Sequence, residues 1–169
     1  MKLELKNVKF YESMSEETNC FQADLFINSK KIAYVKNTGQ GGCTDYYAID
    51  STIAKEVMRN AEQHFLSLPE EKHEEYDFNY QPTLENRIDD LFEEWLRVKE
   101  DKKFAKQMEK GLLYGIDKRF SYHIVCWNVP IKALLMTDKG KEVIRKKILD
   151  LKQDGKKVFN TNIPQELFN

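Results

Sequence analysis

Cys20-Phe-Gln-Ala-Asp-Leu-Phe-Ile27 decides the fold class, because its apolar side chains recur at every second position from Phe21 to Ile27. That period places them on one face of a β-strand. The polar turn Asn28-Ser29-Lys30 follows, and then Ile32-Ala-Tyr-Val35, which is rich in strand-forming residues. Two such runs joined by a short turn predict an antiparallel hairpin. The same alternation between Leu3 and Phe10 predicts a further strand before it.

Beyond this β-rich opening the period changes to three or four residues, which is typical of amphipathic helices. The first helix is predicted from about Asp50 to Leu68, with Asp50 or Ser51 as its cap and Pro69 at its end. The second begins at Thr83, just after Pro82, and continues to about Met108. The segment between them, residues 70–81, has no period and is predicted to be an exposed loop.

Strand character returns in residues 112–116 and 120–127, joined by the hairpin turn Asp117-Lys-Arg119. A third helix is predicted from Thr137 to Gly155, followed by an edge strand at 156–159 and a terminal lid at 163–168. The order favours an α+β class, with an antiparallel or mixed β-sheet and about three helices packed on it. We expect residues 1–169 to form a single domain, in which both β-rich parts share one hydrophobic interior with the helices.

Composition narrows the classes of protein that remain. Hydrophobic residues make up 41% and charged residues 33% of the 169 residues, which is typical of a globular chain. The formal charge of −1 favours neither nucleic acid nor a membrane surface as partner. No targeting segment or spanning apolar run is visible, and three widely spaced cysteines fit a reducing compartment. A cytoplasmic location without membrane association is therefore expected.

The glycine cluster between Gly39 and Gly42 is the most distinctive local feature. Glycines after a strand can let backbone amides approach an anion, or they can serve a tight turn that redirects the chain. The cluster is not a dinucleotide-binding motif, since the next helix starts about eight residues later. If it holds a ligand, the candidate binding residues are the following: Gly39, Gly41, Gly42, Cys43, Tyr46 and Tyr47.

Metal binding and catalysis have weaker support in the sequence than ligand binding at the glycine cluster. The cysteines and His64, His73 and His123 lack the paired spacing of a zinc site, so no metal or other cofactor is predicted and buried thiols are expected instead. Cys43 beside His64 or His123 is the best nucleophile candidate, although nothing local supports it. The carboxylates from Asp89 to Glu94 are expected to form a solvated helix face.

Charge is distributed unevenly along the chain. Residues 70–94 hold ten acidic and two basic side chains, whereas residues 97–157 hold seventeen basic and eight acidic ones. A basic face near the aromatic residues Tyr114, Phe120 and Tyr122 could hold a nucleic-acid backbone and stack bases. The alternatives are two solvated faces that neutralise each other, or a protein-binding surface. The candidate nucleic-acid-binding residues are Arg145, Lys146, Lys147, Lys156 and Lys157.

One resemblance bears on function. Residues 15–21 and 23–28 resemble the opening of small uncharacterised proteins that are frequent in phages and prophages, as do Lys30-Lys31 and Asn37-Thr-Gly-Gln-Gly-Gly42. The later Val158-Phe-Asn-Thr-Asn162 is similar to a short ending seen in them. The resemblance covers about the first 45 residues and the tail, and it carries no catalytic motif. It implies a viral or mobile-element origin and a location in the host cytosol. Small phage proteins of this kind are often accessory factors that bind host molecules, including inhibitors of host defence.

The leading hypothesis is therefore a non-enzymatic phage accessory protein that binds a host or phage macromolecule, most simply a protein. A nucleic-acid-binding factor using the basic C-terminal half is the first alternative. A small-molecule or nucleotide binder, or an enzyme, built around the glycine cluster is the second. The oligomeric state and the identity of the partner are not predicted.

Overall fold

The computed structural model describes residues 1–72, 77–117 and 121–169, which divide into two compact units, 1–96 and 97–169. The predicted turn at 117–119 falls largely outside the described residues, as do His73 and Phe120. Within the described residues, no helix combines the length and the apolar character needed to span a membrane.

The first unit is built on a four-stranded antiparallel sheet in chain order. Its strands are β1 Leu3–Phe10, β2 Phe21–Ile27, β3 Lys30–Asn37 and β4 Asp45–Ala48. Between β2 and β3, Asn28 and Ser29 have φ of 49° and 67°, the left-handed conformation of a tight two-residue hairpin turn. The predicted hairpin is confirmed, and β4 is an additional strand that the sequence did not indicate.

Two helices cover one face of this sheet. Helix α1 spans Thr52–Leu66, and the Ser51 side chain caps it by accepting a hydrogen bond from the Ala54 amide. Helix α2 spans Leu84–Lys110 without a break, and the Thr83 hydroxyl accepts from the Asn86 amide at 3.1 Å. The buried hydrophobic cluster combines side chains of the strands and both helices, as follows: Phe21, Ala23, Leu25, Ile27, Ile32, Ala33, Val35, Ala54, Ala61, Phe65, Leu84, Ile88 and Phe92.

Two predictions for the first unit need correction. Ile53 begins the apolar period of three or four residues that predicts this helix, and that period predicts a buried side chain. Ile53 is nevertheless 67% exposed, because the face that packs on the sheet is centred on Ala54, Ala61 and Phe65. Ile53 precedes Ala54 by one residue and is therefore rotated about 100° away from that face. The segment expected to be an irregular loop contains a short antiparallel pair, β5 Glu71–Lys72 and β6 Asn79–Tyr80.

The second unit contains a three-stranded antiparallel sheet in the order β8-β7-β9. Strand β7 is Gly111–Gly115, β8 is His123–Cys126 and β9 is Lys157–Val158. A short helix α3, Ile131–Leu134, precedes α4, Asp138–Gln153. The predicted signals at both ends of α4 are confirmed: the Thr137 hydroxyl accepts from the Gly140 amide at 3.0 Å, and Gly155 follows with a φ of 70°.

Seven buried side chains of the second unit form a hydrophobic cluster: Leu112, Ile131, Ile144, Ile148, Leu151, Ile163 and Leu167. The C-terminal turn Gln165–Phe168 therefore belongs to this cluster through Leu167. The α+β class with an antiparallel sheet is confirmed. The described residues contain one hydrophobic cluster within each unit, and the single shared interior stays a prediction.

Candidate functional site

The glycine loop makes a sharp turn that is held by backbone hydrogen bonds. Gly39 and Gly41 have φ of 85° and 81°, a conformation that L side chains rarely adopt. A Cβ at Gly39 would clash with the carbonyl oxygen of Met14. The Gly39 carbonyl itself accepts hydrogen bonds from the amides of Glu16, Glu17 and Thr18, at 2.9, 3.0 and 3.3 Å. The expected role in redirecting the chain therefore accounts for Gly39.

Asn37 ties this loop together from the end of β3. Its side chain is buried, and its Oδ1 accepts from the Thr18 hydroxyl and from the Gly39 amide, each at 2.9 Å. Its Nδ2 donates to the Gly42 carbonyl and to the Thr44 hydroxyl, each at 3.1 Å. Both donor hydrogens and both acceptor positions of the amide are thus used. The Asn37 side chain is a structural tie rather than a ligand-binding group.

The loop is also joined to the start of α2. The Thr44 hydroxyl donates to Asp89 Oδ1 at 2.6 Å, and the Thr44 amide donates to Glu85 Oε1 at 3.0 Å. Between the loop and α2 lies an open cleft of about 290 Å³, lined in part by Gly42 and Cys43. Its carboxylates come from both sides: Glu17, Glu85, Asp89 and Glu93.

The electrostatics of this cleft disfavour an anionic ligand. Burial raises the pKa of Asp89, and the nearby charges of Glu85, Glu93 and Asp90 raise it further, against the hydrogen bond from Thr44. The amides of Gly39 and Gly41 are already donated to Asn37 Oδ1 and to the Thr18 hydroxyl. A phosphate would therefore meet negative charge and few available donors. The geometry therefore gives no support to a nucleotide at this position.

Cys43 is exposed at the edge of the same cleft, contrary to the buried thiol that was expected. The Glu85 carboxylate raises the pKa of the Cys43 thiol through its charge and a hydrogen bond. An activated nucleophile needs the opposite shift, because the thiolate is the reactive form. The structure therefore gives Cys43 no support as a nucleophile. Cys126 is also exposed, whereas Cys20 is buried as predicted.

The two tyrosines assigned to the glycine loop lie on opposite faces of β4. Tyr46 faces the core, and burial, together with Glu62, raises its pKa to about 12. Tyr47 faces away from the core, directly opposite Tyr34 on β3. Neither lines the cleft beside Gly42. The predicted ligand set is therefore split by the alternation of the strand.

The five basic residues predicted to bind nucleic acid differ in their exposure. Arg145 lines a small depression of about 220 Å³ that also contains acidic residues, and Lys146 is exposed on the same helix. Lys147 and Lys156 are half-buried, and Lys157 is exposed on β9.

The aromatic residues expected beside them differ from the prediction as well. Tyr114 and Tyr122 are half-buried, and the ring of Tyr122 packs edge-on against the buried Phe104 at 5.1 Å between centroids. Half-buried rings offer less area for stacking than the exposed platform that was expected.

Metal ligation has no support in the described residues. Among residues 1–72, 77–117 and 121–169, no group of three or more His, Cys, Asp or Glu side chains could hold an ion. His123 and Cys126 stand at opposite ends of β8, opposite Tyr114 and Gly111 of β7.

The surface that sequence reasoning missed is the outward face of the four-stranded sheet. The registers β1–β2, β2–β3 and β3–β4 align its side chains in rows across the strands. One row is Lys9, Gln22, Lys36 and Asp45; the next is Lys6, Asp24, Tyr34 and Tyr47; the third is Glu4, Phe26 and Lys31. We call these eleven residues the open face.

A depression of about 450 Å³ lies on the open face. Tyr34 and Tyr47, two of its lining residues, are 55% and 52% exposed. The ammonium of Lys31 lies 4.0 Å from the centroid of the Tyr34 ring, and that of Lys36 lies 5.4 Å from the Tyr47 ring. The open face thus presents two aromatic rings side by side, each with a lysine ammonium near it.

One ion pair organises the middle of the open face. Asp24 accepts from Lys31 Nζ at 2.7 Å and from Asn7 Nδ2 at 2.8 Å. Burial opposes ionisation of Asp24, but these two hydrogen bonds outweigh it and lower its pKa. Asn7 reaches Asp24 because it adopts a φ of 53° at a bulge between Lys6 and Lys9. Lys31 is therefore held in place, while Lys9 and Lys36 are exposed at the rim.

The sequence indicated only part of the open face. Because the inward positions of β2 alternate from Phe21 to Ile27, the outward positions of that strand follow at once. Tyr34 and Tyr47 could be joined to them only through the pairing registers, and β4 was not predicted.

Comparison with known proteins places the chain in no established group: no family model, no curated protein and no solved structure matches it.

Proposed function

We propose that the protein acts by binding a macromolecule, and that the open face of the four-stranded sheet is the surface that binds it. The observation that carries the proposal is the pair Tyr34 and Tyr47, directly opposite each other and each more than half exposed in a depression of about 450 Å³. Tyrosine is enriched where macromolecules meet, because its ring supplies a large rigid contact area and its hydroxyl still hydrogen-bonds.

The opposite face of the same sheet differs from the open face because it is needed for folding. There the side chains of β2 and β3 are buried under α1 and α2, which supplies the stability of the unit. The open face contributes no residue to the buried cluster, so its aromatic rings are not explained by folding. The raised pKa of the Cys43 thiol disfavours catalysis by that thiol and is compatible with a protein that acts by binding.

The resemblance to phage and prophage proteins supports a host or phage macromolecule as the partner. Inhibition of a host defence component is one function within that range, in the host cytosol. This part of the proposal depends on the resemblance alone.

The test compares the full-length protein with a Tyr34→Ser/Tyr47→Ser double variant, each affinity-tagged and expressed in bacterial cells. After cross-linking, co-purified protein and nucleic acid are both quantified. We expect a partner that the wild type retains and the double variant loses, and that a Tyr11→Ser control retains, because Tyr11 is exposed but does not line the depression. Equal recovery by the wild type and the double variant would overturn the proposal.

A further inference from the structure

We infer that the occupant of the open face is single-stranded nucleic acid. This inference rests on the proposed function, because it names the chemical class of the macromolecule bound there. It places nucleic-acid binding on the first unit, on a surface different from the basic residues of the second unit that the sequence suggested.

The first argument concerns stacking. Unpaired bases stack on aromatic side chains without regard to sequence, since every base has a π-face. Tyr34 and Tyr47 offer two adjacent rings on neighbouring strands. Each ring has a lysine ammonium near it, from Lys31 or Lys36. When a base takes the place of the Lys36 ammonium over Tyr47, the displaced cation remains beside the phosphate of that nucleotide.

The second argument is charge complementarity. Lys9 and Lys36 are separated in their row by Gln22 and lie directly beside the row that contains the two tyrosines. Both are exposed, and the Lys36–Asp45 pair is loose at 3.8 Å. Lys36 adjoins Tyr34 along β3, and Lys9 extends the same row two strands farther, on β1, whereas Asp45 adjoins Tyr47. The lysines therefore continue from the rings towards β1, and the backbone of a strand with stacked bases would run in that direction. Four lysines face three carboxylates on the open face, so its positive charge is modest.

The third argument distinguishes the occupant from a protein. The core of a protein interface is depleted of charged residues, whereas nucleic-acid interfaces are polar and positively charged. Six of the ten lining residues of the depression carry amide or charged side chains, and among them Asp24 is bonded to Asn7 and Lys31. Gln22 adds a further amide that can bond to base edges. A duplex is disfavoured because its bases are already stacked on one another.

The experiment measures fluorescence anisotropy with the full-length protein and a fluorescein-labelled oligodeoxythymidylate of about twelve nucleotides, within the site sizes known for such surfaces. We expect Tyr34→Ala and Tyr47→Ala each to weaken binding by about 5- to 100-fold, the loss of one stacked base. Tyr34→Phe and Tyr47→Phe should bind within about threefold of the wild type, because the ring remains. The same oligonucleotide as a duplex should bind more weakly.

Salt dependence supplies an independent readout. If Lys9 and Lys36 contact two phosphates, log K should fall with log salt with a slope of about −1.4. Lys9→Ala/Lys36→Ala should reduce that slope towards zero, and both side chains are exposed, so folding is preserved. The matched control is Lys146→Ala/Lys147→Ala on α4, which should leave affinity and slope unchanged.

Three results would overturn the inference: no binding of the oligonucleotide by the wild type, affinity that does not depend on the two rings, or loss of binding in the Lys146/Lys147 control. If the oligonucleotide does not bind while a Tyr34- and Tyr47-dependent protein survives nuclease treatment in the co-purification, the inference fails and the proposed function stands. If neither the oligonucleotide nor such a protein binds, both the inference and the proposed function fail.

Discussion

At the scale of single residues, Asn37 and Gly39 together hold the glycine loop. The Asn37 side chain is buried and makes four hydrogen bonds, so removal of the amide would leave several buried polar groups unpaired. Gly39 supplies the positive φ and the space against Met14 that the turn requires. Gly42, in contrast, has no described heavy atom within 4 Å of an added Cβ. The three glycines of the cluster therefore differ in their structural importance.

We predict that Gly39→Ala lowers the free energy of unfolding by about 1–3 kcal/mol, because the new Cβ meets the Met14 carbonyl in a conformation that alanine avoids. Gly42→Ala, the matched control, should change it by less than about 0.5 kcal/mol. Urea denaturation of the two variants measures the difference. Equal stabilities would show that the loop relaxes to accept a side chain at Gly39.

At the scale of elements, the start of α2 and the open face differ in how their carboxylates are surrounded. Helix α2 directs Glu85, Asp89 and Glu93 towards one cleft, where carboxylates crowd one another. The acidic residues were expected to be a solvated face, and Asp89 departs from that expectation because it is bonded to Thr44. On the open face, in contrast, Asp24 is neutralised by Lys31.

We predict that Asp89→Asn stabilises the protein at pH 7. The pKa of Asp89 is raised in the folded state, so ionisation of this side chain disfavours folding. Below the unfolded pKa of about 3.9, Asp89 is protonated in both the folded and the unfolded protein, so it does not lower the free energy of unfolding. As the pH rises through the higher folded pKa, this part of the free energy of unfolding is lost. The gain of the variant should thus appear at pH 7 and shrink towards zero below about pH 4.

Thermal unfolding between pH 3 and pH 7 measures this difference. Asp90→Asn is the control, because Asp90 pairs with Arg87 at 3.0 Å and its removal should bring no comparable gain. A gain for Asp89→Asn that is the same at both ends of the pH range would contradict the prediction.

The lysine ammonium that lies over Tyr47 is compatible with the stacking of a base on that ring. An exposed cation–π contact contributes about 0.5–1 kcal/mol, whereas stacking of one base contributes about 1–3 kcal/mol. Exchange of the ammonium over Tyr47 for a base is therefore favourable or neutral. The displaced Lys36 loses little, since its pair with Asp45 is long and exposed.

At the scale of the whole molecule, the part of the chain that the structure describes contains two hydrophobic clusters, one within each unit. In the first, β2 and β3 pack against α1 and the start of α2. In the second, β7 packs with α3, α4 and the C-terminal turn. The single-domain organisation stays a prediction, and local stability is the property that tests it.

We predict that Ile148→Ala, at a fully buried position of α4, destabilises the second unit by about 2–5 kcal/mol. Since the cluster around Ile148 draws only on residues of that unit, amide hydrogen exchange should accelerate in β7 and α4 and change little in β2 and β3. Val143→Ala on the same helix is the control, because Val143 is exposed. Uniform acceleration across both units would instead support one cooperative domain.

Local patterns in the sequence determined most of the secondary structure. The alternation from Phe21 to Ile27, the turn at Asn28 and Ser29, and the caps at Ser51, Thr83 and Thr137 all act within a few residues, so they can be read directly from the chain. The glycine loop was found in the same way, because positive φ is a property of a single residue. These signals predicted the α+β class.

Only the tertiary structure decided which of these elements share a core and which side chains meet. Tyr34 and Tyr47 lie thirteen positions apart, and they become neighbours through the β3–β4 register, which depends on long-range pairing. The pKa of Cys43 depends likewise on Glu85, a residue far away in sequence. Burial, register and electrostatic environment are sums over distant contacts, and for that reason the open face became visible only once the strands were paired.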